Sequence, residues 1–228
     1  MSNTDAPTRR EKASSASTDR ASLYGEAGGR KYLNRSESLR VLGALDDLRA
    51  DRALFAQTLA WTGARISEVL ALTPGSFQVE DCIAAIVTLK RRKFCVREVP
   101  IPPALMRALD AHFGISQAQR CGTDHGPLWP WCRVTGWRIV KTAMNRSGIL
   151  GRQACPRGLR HGFGVAVLQA GVPLTLAQKW LGHARLSTTA IYAAACGPEE
   201  REFAARYWRA MGDVDPRVSV SARDFTGD

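Results

Sequence analysis

Cys82-Ile83-Ala84-Ala85-Ile86-Val87-Thr88-Leu89, Lys90-Arg91-Arg92-Lys93 and Val96-Arg97-Glu98-Val99-Pro100-Ile101 follow one another closely near the middle of a 228-residue chain. The first run is apolar and partly β-branched, the second is wholly basic, and the third returns to a β-like composition before Pro102-Pro103. Two short apolar runs around a polar turn read as a β-hairpin, here with a basic tip. On both sides of it apolar residues recur at helical spacing. The fold class that follows is mainly α with a small antiparallel β-sheet.

Toward the N-terminus, Ser36 opens a pattern in which Leu39, Leu42, Leu45 and Leu48 recur at three-residue steps, and Leu54, Phe55, Thr58, Leu59 and Trp61 carry a second apolar stripe. Gly63 closes that second helix, Arg65 to Leu72 reads as a short third, and Thr73-Pro74-Gly75 is a breaker. Toward the C-terminus, helices are predicted over Pro103 to Phe113, Val134 to Ser147, Leu174 to Leu181, Ser187 to Ala195 and Glu199 to Met211. Leu159, Phe163, Val167 and Ala170 share one helical face, and Trp129-Pro130-Trp131 lies in a loop. Residues 1–30 are rich in Ser, Thr, Ala, Asp and Arg, a composition that cannot offset the entropy of ordering, and are expected to form a disordered arm. Residues 31–211 are expected to form the one domain, and 212–228 a flexible tail.

Lys and Arg number 32 against 21 Asp and Glu, a formal net charge of +11. That excess favours polyanionic partners, nucleic acid first, and says nothing of the fold. No run approaches the roughly 18 apolar residues of a membrane span, and the N-terminus has no apolar signal core, so a cytoplasmic protein is expected. The six cysteines, Cys82, Cys95, Cys121, Cys132, Cys155 and Cys196, are scattered. Cys121, His125 and Cys132 come nearest to a zinc cluster, but they have neither a paired CxxC nor a fourth ligand at standard spacing. No metal and no cofactor are expected.

Three segments carry residues suited to phosphoryl chemistry: Thr62-Gly63-Ala64-Arg65-Ile66-Ser67-Glu68-Val69-Leu70; Leu159-Arg160-His161-Gly162-Phe163; and Leu181-Gly182-His183 followed by Ser187-Thr188-Thr189-Ala190-Ile191-Tyr192. Breaking a phosphodiester with a side-chain nucleophile builds charge on the non-bridging oxygens, and fixed cations in a dry pocket stabilise it. Arginine stays charged and offers phosphate a planar fork. A phenol, with a reference pKa of about 10, needs help to lose its proton, and nearby cations would lower that value. Each residue also has an ordinary reading: arginines in surface ion pairs, and a half-buried tyrosine that packs.

In this order, with the basic hairpin between the first two, the three segments resemble the tyrosine recombinase family, which includes the phage integrases and plasmid resolvases. The resemblance runs from the first predicted helix to the last and implies the catalytic-domain fold of that family. It also implies an enzyme that cuts and rejoins double-stranded DNA site-specifically through a covalent 3′-phosphotyrosine bond, with neither ATP nor metal. By the same resemblance Tyr192 is the nucleophile, Arg65 and Arg160 clamp the phosphate, and His183 is a third donor. Lys90 is the general acid, Lys93 being the alternative, and Arg91, Arg92 and Lys93 contact the DNA backbone. Glu68 supports Arg65, a plain surface glutamate being the other reading.

Arg157 departs from the family pattern, which has His or Lys three residues before the second arginine. Because arginine accepts no proton near neutral pH, Arg157 is assigned to phosphate binding, and His161 or water is left to take the Tyr192 proton. The resemblance further implies a homotetramer on synapsed sites, held by exchange of C-terminal segments. The candidate is Glu199 to Met211, with Phe203, Ala204, Tyr207 and Trp208 in a stripe; docking on its own subunit is the alternative. Many family members carry a helical DNA-clamping domain ahead of the catalytic one, and residues 1–35 are too few to supply it. Two readings compete with the recombinase: a strand-nicking, relaxase-like relative that never exchanges partners, and a non-catalytic DNA-binding accessory protein. Gly171-Val172-Pro173 and Trp180-Leu181-Gly182-His183 resemble recombinases of plasmids and mobile elements. Neither the target site nor the choice among integration, excision and resolution is written in these motifs.

Overall fold

The computed structural model describes residues 22–25, 28–88, 95–123, 126–194 and 204–209. Helix α1 (Arg35–Ala44) starts at Asn34, whose side chain accepts from the Glu37 amide at 2.8 Å while Glu37 accepts from the Asn34 amide at 2.9 Å. This reciprocal cap satisfies two otherwise orphaned donors. The inward face of α1 is Glu37, Val41 and, just beyond the helix, Leu45, a step of four. The predicted three-residue leucine stripe drifts around a 3.6-residue helix, so Leu39 ends up exposed. Helix α2 (Ala50–Thr62) buries Leu54, Phe55, Thr58, Leu59 and Thr62, while Trp61, expected on that stripe, is exposed.

The segment predicted as a helix from Arg65 to Leu72 is helical only over α3 (Ile66–Val69) and is followed by a 3-10 turn at Pro74–Ser76. Strands β1 (Phe77–Gln78), β2 (Ile83–Val87) and β3 (Val96–Pro100) then form an antiparallel sheet in that order. β2 and β3 are the predicted hairpin, with Ala84 opposite Val99 and Ile86 opposite Arg97. β1 is too short to show alternation in sequence. The hairpin tip, with Lys90, Arg91, Arg92 and Lys93, lies outside the described residues.

Helices α4 (Pro103–Phe113) and α5 (Ile115–Cys121) share Gly114 as their hinge, at a φ of 64° that glycine adopts freely. α5 was not predicted, since seven residues give too few turns for a periodic signal. Next come α6 (Arg133–Arg146), α7 (Pro156–Gln169), α8 (Leu174–Leu181) and α9 (Ser187–Ala190), the last passing into a 3-10 turn at Ile191–Ala194. The helix expected over Ser187 to Ala195 is thus two shorter turns. The main core centres on α2: Phe55 meets Trp129 edge-on at 5.5 Å and Trp131 at 5.7 Å. Trp129 is fully buried and donates from Nε1 to the Asp51 carbonyl at 2.9 Å, so its one polar atom is satisfied.

Of the stripe that its hydrophobicity suggests, α7 buries only Leu159 fully. Its inward positions are Gly158, Leu159, Arg160, Gly162, Gly164 and Val165, whereas Phe163 and Val167 are only half-buried and Ala170 is exposed. Three of those positions are glycines, which hydrophobic periodicity does not register. A Cβ at Gly162 would stand 3.0 Å from the Leu33 carbonyl oxygen, so glycine lets the two backbones approach. Part of the expected arm is also folded: Tyr24 and Arg30 form a β-bridge, Lys31 donates its amide to the Leu23 carbonyl at 2.8 Å, and Leu23 is buried. Residues 1–21 lie outside the described residues.

Residues 1–195 form one compact unit and 196–228 a second. In the second, residues 204–209 are helical, and the rest of the candidate exchange helix lies outside the described residues. Among the described residues no helix is long and apolar enough to cross a membrane, and no three His, Cys, Asp or Glu side chains converge as metal ligands. His125 lies outside the described residues.

Candidate active site

Gly63 caps α2 at a φ of 60°, turning the chain so that Arg65 becomes the N-cap of α3. Glu68, at the third position of α3, accepts from the Arg65 amide at 2.9 Å through Oε2 and from Arg65 Nη1 at 2.7 Å through Oε1. Local chain geometry thus holds the Arg65 side chain, which remains 29% exposed. Glu68 itself is buried. Burial pushes its carboxyl upward, but the guanidinium of Arg97 and the donors of Arg65 outweigh this and hold it below the usual carboxylate range.

Arg160 projects from α7 into the same region. Its Nη1 donates to the Gly63 carbonyl at 2.5 Å and its Nη2 to the Leu181 carbonyl at 2.7 Å. One guanidinium therefore ties together the ends of α2 and α8, the two chain reversals that lead to Arg65 and His183. Two of its five N–H groups serve in this tie, and the other three make no further hydrogen bond among the described residues. Burial, with Arg65 next, lowers its pKa to about 10, so it stays charged at neutral pH.

His183 follows Gly182, which caps α8 at a φ of 64°. Its Nδ1 lies 2.9 Å from Thr189 Oγ1, a buried hydroxyl on α9. Burial and the neighbouring Arg160 and Arg65 hold its pKa near 3, so the imidazole is neutral. A Thr189 hydroxyl donating to Nδ1 leaves Nε2–H as a donor. Tyr192, in the 3-10 turn after α9, stacks its ring on His183 at 6.1 Å between centroids with a 19° tilt. Its hydroxyl lies 3.0 Å from His161 Nδ1. Burial, then Arg160 and Arg157, lowers the His161 pKa to about 4, so the imidazole is neutral, and its tautomer protonated at Nε2 offers the Nδ1 lone pair to the phenol.

Tyr192 is only 1% exposed. It belongs to a second small core with Leu23, Tyr32, Val165 and Leu181. On its other side lies Gly164, where a Cβ would come within 2.6 Å of the ring. The cations act on the phenol in the expected direction, Arg160 and Arg65 both pulling its pKa down. Burial, which the sequence does not display, outweighs them and the pKa rises. In the free chain the hydroxyl is held as a neutral phenol against a neutral histidine.

The structure thus brings Arg65, Glu68, Arg160, His161, His183 and Tyr192 together. Arg157 is exposed on the first turn of α7, near enough to depress the His161 pKa but outside that pocket. Arg97 and Thr189 were not read as site residues. For Arg97 a signal existed: strand alternation puts it on the same face as Val99, and a cation on a core face requires partners. For Thr189 and Gly164 none existed, because their roles are set by what they touch across the fold.

Residues 31–196 match the sequence profile described as the phage integrase family. The chain is 30% identical over 194 residues to tyrosine recombinase XerD of Mycobacterium tuberculosis, covering 82% of this chain and 58% of the relative. It is 30% identical over 171 residues to tyrosine recombinase XerA of Thermococcus onnurineus, covering 71% of this chain and 57% of that protein. It therefore spans little more than half the length of these relatives. The crystal structure of XerA recombinase superposes with a TM-score of 0.64 at 25% identity, over 77% of this chain and 64% of that one. The catalytic domain of bacteriophage HP1 integrase superposes at 0.56 and 24% identity, over 84% of this chain and 98% of that one, which shows a shared fold.

Proposed function

Because the chain belongs to the phage integrase family, we propose that it is the catalytic part of a site-specific tyrosine recombinase acting on double-stranded DNA. The observation that carries the reading is the Tyr192 hydroxyl 3.0 Å from His161 Nδ1, in a pocket where Arg160 is fixed to the chain reversals leading to Arg65 and His183. Further support comes from the net charge of +11 and from a structural relative, the XerH site-specific recombinase, which is seen bound to its difH substrate in a pre-cleavage complex.

In the proposed reaction Tyr192 Oη attacks phosphorus and its proton passes to His161 Nδ1. Arg65, the free N–H groups of Arg160, and His183 Nε2–H donate to the non-bridging oxygens, where charge accumulates. The P–O5′ bond breaks, and the leaving oxygen takes a proton from Lys90 on the hairpin tip. The product is a 3′-phosphotyrosyl link and a free 5′-hydroxyl, and rejoining runs the same steps backward. Arg157, on the rim, meets a neighbouring backbone phosphate, as do Arg91, Arg92 and Lys93. Arginine replaces a proton acceptor at position 157, and this directs the acceptor role to His161.

Proton transfer is unfavourable in the free chain, since burial raises the affinity of the phenol for its proton and lowers that of the imidazole. An incoming phosphate offsets the cations that depress His161, but also those that pull the phenol pKa down. The proton is therefore best passed to His161 as Oη bonds to phosphorus, when no free phenolate has to be formed. Recombination of two duplexes takes four cleavages, which fits a homotetramer in which residues 199–211 pass between protomers. The test uses nicked suicide duplexes tiled across the DNA flanking the coding sequence. Wild-type protein should give covalent adducts on denaturing gels, and Tyr192→Phe should give none while binding DNA within about threefold, because only the nucleophilic oxygen is lost. Adducts of normal yield from the variant would remove Tyr192 from the role.

A further inference from the structure

On the strength of that reading, we infer that Arg97, on β3, is a positioning residue that holds the Arg65 and His183 arms of the pocket in one frame. It is 3% exposed, and each of its three nitrogens serves a different element. Nη2 donates to Glu68 Oε2 at 2.6 Å, Nε to the Trp180 carbonyl at 2.7 Å, and Nη1 to Thr88 Oγ1 at 2.9 Å.

Each partner leads to a group used in the reaction. Glu68 holds Arg65 through its backbone amide and its guanidinium. Trp180 sits at the end of α8, three residues before His183. Thr88 directly follows β2 and stands two residues before Lys90 in the sequence. Arg97 also shapes the turn that delivers His183, because a Cβ at Gly182 would stand 3.1 Å from Arg97 Cδ. The planar fork is what makes this possible: a single-point ammonium reaches one or two of these acceptors, not three in three directions.

Charge gives Arg97 a second effect. Glu68 lies between two guanidiniums, at 2.7 Å from Arg65 and 2.6 Å from Arg97. One carboxylate shared by two cations leaves a net positive charge, so Arg65 faces the phosphate without being neutralised by its own support. Arg97 touches no reacting atom in this scheme and acts through Glu68 and the Gly182–His183 turn.

The test compares wild type, Arg97→Met and Arg97→Lys on the same nicked suicide duplexes, with circular dichroism and melting to confirm folding. In Arg97→Met, single-turnover cleavage at saturating DNA should fall at least about tenfold while affinity stays within about threefold, a loss of rate rather than binding. Arg97→Lys should recover part of the rate. The pH profile separates positioning from mere scaffolding. Without Arg97 the Glu68 carboxyl loses its main stabilising cation, so the acid limb of cleavage should move to higher pH in Arg97→Met, and Glu68→Gln in that background should return it to the lower limb set by His161, whose pKa is about 4. Variants that fold and cleave within about twofold of wild type with an unmoved profile would overturn the inference. So would failure of both variants to fold, which would make Arg97 a folding residue. If the wild-type protein itself forms no Tyr192 adduct, the recombinase reading fails and this inference falls with it. Adducts from wild type with unchanged Arg97 variants sink the inference alone.

Discussion

Gly164→Ala puts one methyl group where α7 meets the ring of Tyr192. The added carbon would lie 2.6, 2.7 and 2.8 Å from Cε2, Cζ and Cδ2 of that ring. Carbon atoms in contact prefer about 3.5–4.0 Å, so the ring must retreat by about 1 Å. It has little room to do so, being 1% exposed, stacked on His183 and hydrogen-bonded to His161 at 3.0 Å. Overpacking of this kind costs about 1–3 kcal/mol, and replacing a helix-interior glycine with alanine returns about 1 kcal/mol. The melting temperature should therefore change little or fall modestly. The reaction should be hit harder, because a displacement of about 1 Å at a reacting atom can cost on the order of 100-fold in rate. The assay is single-turnover adduct formation on suicide duplexes, with binding measured alongside. A Gly164→Ala protein that cleaves at the wild-type rate would refute the claim that ring placement against α7 sets the attack geometry.

Three other outcomes follow from the same pocket and its supports. His161→Asn keeps an acceptor near the phenol but removes a base, and should slow single-turnover cleavage about 100-fold or more; an unchanged rate would hand the proton to water. The pKa values of His161, about 4, and His183, about 3, lie below that of an unfolded histidine. Between those values and about 6.5 the unfolded chain binds more protons, so stability is full above about pH 6.5 and falls as pH drops through that window, by about 1.4 kcal/mol for each tenfold difference in proton affinity. Urea unfolding at pH 7 and pH 4.5 checks this, and equal stability at both would contradict the buried neutral imidazoles. Trp129→Ala removes the indole that meets Phe55 and Phe113 and should cost about 3–5 kcal/mol in denaturant unfolding; a loss under about 1 kcal/mol would mean that the core does not rest on it.

The hairpin, most of the helices and the three motif segments were legible in the amino-acid sequence, because each depends on neighbours within a few residues. Alternation marks a strand, Gly63 and Gly182 mark helix ends, and Glu68 lies one helical turn from the Arg65 that it holds. The exposed side of a helix was less legible. Leu39 and Trp61 face outward although composition places them in apolar stripes, and α7 packs through glycines that carry no hydrophobic signal. What tertiary structure alone decided is the state of each chemical group. Arg160 reaches Gly63, 97 residues away, and Leu181, 21 residues away. Arg97 reaches Trp180 across 83 residues, and Tyr192 finds His161 across 31. Sequence supplied a phenol and the cations expected to lower its pKa. Only the fold set how deeply that phenol is buried, and because desolvation outweighs the nearby charges, its pKa rises instead.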